Sequence, residues 1–142
     1  MKLLLLLLLL LTGTPALAQA PFIIPGVPVV GVTASSGTVA AGTATATLPA
    51  FVGRNTYICG FAITSAGSTA AAVVAPTVTG IVGGTMTFAY ASVAGVTLSN
   101  APLVVLFTPC MPSANVQQAI VVSLPSLGAG NTAATVNAWG FQ

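Results

Sequence analysis

No aspartate, glutamate or histidine occurs anywhere in this chain of 142 residues, and Lys2 and Arg54 are its only cationic side chains. Charged residues make up 1% of the sequence, where a soluble domain ordinarily carries about a quarter. Each absence removes a class of function. Serine and threonine are plentiful, but no histidine, carboxylate or internal lysine stands ready to activate one as a nucleophile. The paired carboxyls of ordinary glycoside hydrolysis are missing, even across copies of an oligomer. Divalent metals lose their usual imidazole and carboxylate ligands. Nucleic-acid binding needs several phosphate contacts from lysine or arginine, and past the N-terminal segment Arg54 offers one. Gly128-Ala129-Gly130 is no dinucleotide fingerprint, because a strand rather than a helix is expected after it. The composition therefore excludes an enzyme, a cofactor or metal site and a nucleic-acid partner.

Long apolar runs are also few, and the clearest one stands at the start. Met1-Lys2 precedes an unbroken leucine run, Leu3 to Leu11, and then Thr12-Gly13-Thr14-Pro15-Ala16-Leu17-Ala18. A positive start, an apolar stretch too short to span a bilayer and a small-x-small ending describe a secretory signal peptide over residues 1–18. Cleavage is expected after Ala18, since the alternative after Ala20 would place Pro21 directly behind the scissile bond. No cysteine follows the leader closely, which excludes lipid attachment at a new N-terminal cysteine. The chain is then exported to the periplasm, the cell surface or the medium, with no stable membrane span after processing.

Export decides how the two cysteines are read. Cys59 and Cys110 are the only two, and in an oxidising compartment they most simply form one disulfide. Chain entropy alone makes such a bond worth roughly 4 kcal/mol for a loop of this length. A reactive thiol lacks a neighbouring cation to lower its pKa, and two thiolates do not close a zinc site.

Residues 19–28 hold Pro21, Pro25 and Pro28 among Phe22, Ile23, Ile24 and Val27. Such a segment cannot pair along a central strand and reads as an extended apolar arm. From residue 29 to 142 the pattern is that of a single all-β domain. No stretch has helical spacing, and turn signals are dense: Ser35-Ser36-Gly37, Leu48-Pro49, Ala66-Gly67-Ser68, Gly83-Gly84, Ser99-Asn100, Pro109 to Pro112 and Gly128-Ala129-Gly130-Asn131. Between them lie runs rich in valine, isoleucine, threonine and aromatics. They predict about eight strands, near 28–34, 39–48, 56–64, 72–79, 84–91, 102–108, 117–124 and 132–140. Alternation puts Tyr57, Cys59, Phe61 and Ile63 on one face, Met86, Phe88 and Tyr90 on one face, and Val136 and Ala138 opposite Asn137 and Trp139. Short strands at regular intervals point to an antiparallel β-sandwich of the jelly-roll kind.

One resemblance covers residues from about 56 to the C-terminus. Gly60-Phe61 closes a strand opened by Tyr57; Pro102-Leu103-Val104-Val105 and Pro109-x-x-Pro112-Ser113-Ala114-Asn115 follow. Leu124-Pro125-x-Leu127-Gly128-Ala129-Gly130-Asn131-Thr132 and a terminal Trp139-Gly140-Phe141-Gln142 complete the set. In these features the chain resembles small proteins encoded in phages and prophages. The resemblance implies a β-sandwich virion or virion-associated component without catalysis, and supplies no binding residues. The export leader and the cysteine pair depart from that pattern and favour a secreted or surface relative built on the same domain.

Candidate contact residues follow from what little the surface offers. Phe22, Ile23 and Ile24 of the arm, with Trp139 and Phe141, supply apolar area for contact between copies. Thr43, Thr45 and Thr47 project hydroxyls from one side of a strand, an arrangement that meets water or sugar hydroxyls, or is simply the solvent side of an outer strand. Arg54 sits in the turn Val52-Gly53-Arg54-Asn55, as a solvated turn residue or as a partner for the carboxylate of Gln142. With almost no charge to keep copies apart, a homo-oligomer is expected, a trimer first. A cell-surface or virion component is the other partner considered. Purified protein freed of contaminants should show no hydrolase or transferase turnover, since no mature side chain serves as a general base near neutral pH; sustained turnover would overturn this reading.

Overall fold

Thr43-Ala44-Thr45-Ala46-Thr47-Leu48 alternates a hydroxyl with an apolar side chain, and the pleat of a strand sends the two sets to opposite sides. In a computed structural model that describes residues 28–95 and 97–142, Ala44, Ala46 and Leu48 are fully buried while the three threonines are exposed. The same division recurs along the chain in ten strands: β1 (Gly31–Ser35), β2 (Ala44–Leu48), β3 (Tyr57–Ala66), β4 (Ala72–Val74), β5 (Thr77–Thr79), β6 (Met86–Thr87), β7 (Tyr90–Ser92), β8 (Leu103–Pro112), β9 (Ile120–Leu124) and β10 (Ala133–Phe141). No helix occurs among the described residues, and none there is long and apolar enough to cross a membrane. The expected leader and the arm residues Phe22, Ile23 and Ile24 lie outside the described residues.

All strand pairs are antiparallel. Sheet A runs β1-β10-β3-β8, sheet B runs β2-β9-β5-β6, and β4 pairs with β7 in a small third sheet. Sheets A and B enclose one apolar core. Phe61, Ile63, Val136 and Ala138 come from sheet A; Leu48, Val78, Ile120, Val122 and Leu124 come from sheet B. Each of the larger side chains, fully removed from water, contributes about 1.5–3 kcal/mol. Tyr90 closes the core at one end, and its hydroxyl lies 2.8 Å from that of Ser65. Asn100 donates through Nδ2 to the same Ser65 oxygen at 2.6 Å, so this buried polar cluster is satisfied internally.

Ten strands stand in place of eight runs because two runs are each broken. The run expected over 72–79 divides at Ala75-Pro76, where proline has no N–H to give to a ladder. The Pro76 carbonyl instead accepts from the Phe88 N–H at 2.8 Å, in the gap between β6 and β7. Both halves of this hairpin thereby pass from sheet B to the third sheet. Met86, Phe88 and Tyr90 consequently do not share one face of one strand: Met86 is exposed in β6 and Tyr90 is buried in β7.

A second departure lies within β3. Trp139 pairs with Gly60, but Gly140 pairs with Ile58, which leaves Cys59 as an extra residue in the ladder. A bulge of this kind shifts the alternation by one position. Ile58, Phe61 and Ile63 are therefore all buried, while Tyr57 falls on the outer side opposite Phe141. Tyr57, Cys59, Phe61 and Ile63 do not form the single face that strict alternation predicts. On the other side of β3 the ladder to β8 steps from Ile58↔Met111 to Gly60↔Leu106, another irregularity at the same place.

The expected disulfide joins Cys59 to Cys110 across this double irregularity, with the Cα atoms 4.3 Å apart. It bonds two neighbouring strands where their ladder is interrupted, which substitutes a covalent link for missing hydrogen bonds. Replacing both cysteines with alanine should lower the unfolding free energy by about 2–4 kcal/mol. Urea denaturation of the oxidised protein and the double variant measures this; equal midpoints and slopes would refute it.

Candidate functional site

The two outer faces of this structure differ in chemistry, and the difference arises from which residue types alternate with the core. On sheet B the outward positions are hydroxyls. Thr45 pairs with Ser123, Ser123 with Thr77, and Thr77 with Thr87, so one row of four hydroxyls crosses the whole sheet. Adjacent strands stand about 4.8 Å apart, which sets the spacing of the row. Along β2, Thr47 begins a second row that continues through Val121 to Thr79. Thr43 precedes the strand on the same exposed side.

On sheet A the outward positions are mixed: Thr33, Ser35, Asn137, Thr135 and Thr64 carry hydroxyls or an amide, and between them lie large apolar side chains. One row reads Thr33, Trp139, Gly60, Leu106; the next reads Ser35, Asn137, Ala62, Val104. A third contains Phe141 and Tyr57, whose rings stack 4.6 Å apart at 13°. Leu106 is 69% exposed and Val104 57%. Trp139 is half-buried, and the reason is local. A Cβ on Gly60 would stand 2.6 Å from the Trp139 ring and 2.6 Å from the Val105 carbonyl oxygen, so only glycine leaves room for the indole to lie across β3. Trp139 and Phe141 thus belong to the outer face of sheet A rather than to the core.

Arg54 stands apart from the threonine rows. Its Nη1 donates to the Pro28 carbonyl at 2.9 Å, and its guanidinium lies 5.4 Å from the centre of the Phe51 ring. No ion pair to the carboxylate of Gln142 forms. Gln142 instead donates through Nε2 to Pro49 O and to Thr56 Oγ1. The arginine therefore braces the loop after β2 against the start of β1, and none of its hydrogen bonds reaches Thr43, Thr45 or Thr47.

A shallow recess of about 340 Å³ opens near Thr64, Ser65, Asn100, Pro102 and Thr135. Its polar groups are hydroxyls and amides, and the Ser65 oxygen is held by Asn100 and Tyr90. Neither an amide nor a phenol hydroxyl is placed here as the base that activates a serine. Among the described residues no group of three histidine, cysteine or acidic side chains converges on a metal position.

Sequence reading located Thr45, Thr47, Trp139 and Phe141 but not their neighbours. Thr77, Thr87 and Ser123 complete the hydroxyl row, and Leu106, Val104 and Tyr57 complete the apolar part of the sheet A face. The direction of Thr77, Thr87, Ser123, Val104 and Leu106 is legible in the alternation of β5, β6, β8 and β9, whereas that of Tyr57 was hidden by the bulge; their adjacency depends on strand order. No protein-family model matches the chain, and no curated protein or solved structure is significantly similar to it.

The contact between Trp139 and Gly60 has a direct consequence. Gly60→Ala should destabilise the fold by about 1–3 kcal/mol, because the new methyl meets backbone as well as the indole. Trp139 is the sole tryptophan, so its emission reports the displacement as a red shift. An unshifted spectrum with unchanged stability would show that the ring does not rest on Gly60.

Proposed function

We propose that this chain is a non-catalytic, exported structural or interaction protein that assembles with itself or coats a surface. The observation that carries this reading is the two-sided, uncharged surface: exposed apolar side chains such as Leu106 and Val104 on sheet A and a hydroxyl face on sheet B, with no charged side chain in either. A protein with exposed apolar area on one side and a neutral hydrated face on the other suits a layer or shell, in which one side is covered and the other meets water. Export is supported by the composition of residues 1–18 and by the disulfide, which belongs in an oxidising compartment.

The jelly-roll reading is supported by strand order. Counting β4–β5 and β6–β7 as one bent run each gives eight runs, ordered 1-8-3-6 in sheet A and 2-7-4-5 in sheet B. The pairs 4-5, 3-6, 2-7 and 1-8 are those of one long hairpin rolled on itself, the double Greek key of that fold. Such domains suit shells, and a phage or prophage origin for residues 56–142 belongs to the same proposal.

A second reading is favoured by the row Thr45, Ser123, Thr77, Thr87: a secreted binding module that meets glycan, or another neutral surface, through hydroxyls. Size-exclusion chromatography with light scattering, followed by a glycan array, separates the two. The structural reading expects a stable oligomer, a trimer first, and no sugar-specific retention. A monomer retained by particular glycans would overturn it in favour of the binding module.

A further inference from the structure

We infer that the free edge of β8, over Leu103–Phe107, pairs antiparallel with the same edge of a second copy. This inference rests on the self-assembly reading above and sets a two-fold dimer in place of the trimer first expected there, since an isologous edge closes at two copies. Among the described residues, sheet A ends at β8 on one side and β1 on the other, and sheet B ends at β2 and β6. An edge strand turns alternate backbone N–H and C=O groups away from its sheet, and proteins guard such edges with charge, proline or a covering segment. β1 and β2 present Thr33, Ser35, Thr45 and Thr47 beside the edge, which hold water, and β6 has only two residues. β8 presents Val104 and Leu106, both more than half exposed, and carries no charge.

The inner row of β8 points the same way. Leu103, Val105 and Phe107 face the core yet are only partly buried, while their neighbours Phe61 and Ile63 on β3 are fully buried. The edge therefore leaves both of its rows incompletely covered. An added strand would cover both and satisfy the outward backbone groups. A second copy is the occupant that needs no further feature: a two-fold axis makes an antiparallel edge its own complement. With the axis at Val105, Val104 stands opposite Leu106 of the second copy and Leu103 opposite its Phe107, two apolar cross-strand pairs. Absence of charge means that identical edges meet with no like-charge contact, whereas a partner chosen by charge would find nothing here to select. Pro109 and Pro112 limit the pairing to a short segment. Two four-stranded sheets then become one sheet of eight.

The test compares wild-type protein with Val104→Lys/Leu106→Lys, Val104→Thr/Leu106→Thr and, as a control on the opposite sheet, Thr45→Lys/Thr47→Lys. Sedimentation across micromolar concentrations reads assembly, and hydrogen exchange reads the amides of residues 103–107. The lysine pair sets like charges opposite one another and should weaken association by at least about tenfold. The threonine pair keeps strand-forming residues and should weaken it less, while the control leaves it unchanged. In wild-type protein the edge amides should gain protection as concentration rises. Assembly unchanged in both β8 variants would overturn the pairing while self-assembly stands. Wild-type protein monomeric at every concentration would remove the assembly reading and the pairing together. Edge amides protected in the monomer would show that a segment of the same chain covers β8, and would overturn the pairing as well.

Discussion

Apart from Arg54, every side chain that keeps this domain hydrated is a hydroxyl or an amide, so the separation of inside from outside rests on strand alternation. A charged surface tolerates errors of phase, because a buried lysine or glutamate is so costly that alternative registers are excluded. Here a one-residue slip would exchange threonine for alanine or valine, a far smaller penalty. The chain compensates with features that set register by shape. The bulge at Cys59, the glycine beneath Trp139 and the proline that divides β4 from β5 each occur once and cannot be reproduced by a slipped pairing.

Those features converge on β3. It lies between β10 and β8, carries the extra residue, holds one half of the disulfide and provides the glycine over which the indole lies. Gly140, opposite Ile58, belongs to the same arrangement: a Cβ there would overlap the Tyr57 carbonyl oxygen. The bulge turns Ile58 inward beside Phe61 and sends Tyr57 outward to stack on Phe141. A local irregularity thereby enlarges both the core and the apolar area on the outer side of sheet A.

The missing charges shape the energetics as much as the surface. Stability depends on pH where folded and unfolded states bind protons differently, and carboxylates and histidines supply most of that difference in ordinary proteins. This chain has none of either. Its stability comes from buried apolar area, ladder hydrogen bonds and one disulfide, none of which titrates in the mildly acidic to neutral range or is screened by salt. Such a domain suits a compartment whose pH and ionic strength the cell does not control, as the proposed export would require.

Composition and local periodicity alone determined the all-β character and the pairing of the only two cysteines, because each follows from which side chains exist and how they alternate. Alternation alone put Thr43, Thr45 and Thr47 on one side of their strand and set Val136 and Ala138 opposite Asn137 and Trp139; which of the latter two sets faces the core was left to the structure. The phase change within β3 was hidden, since a bulge is one additional residue and leaves no mark in an apolar run such as Tyr57 to Ile63. So was the division of two runs between sheets, although Pro76 marked one of the break points. The candidate surfaces were legible only in fragments. Thr45 and Thr87 are 42 positions apart in the chain, and Trp139 and Leu106 are 33 apart; strand order alone brings each pair into one row. Periodicity specifies the direction of a side chain relative to its own strand, but which strands lie side by side is decided by how two sheets close over a common core.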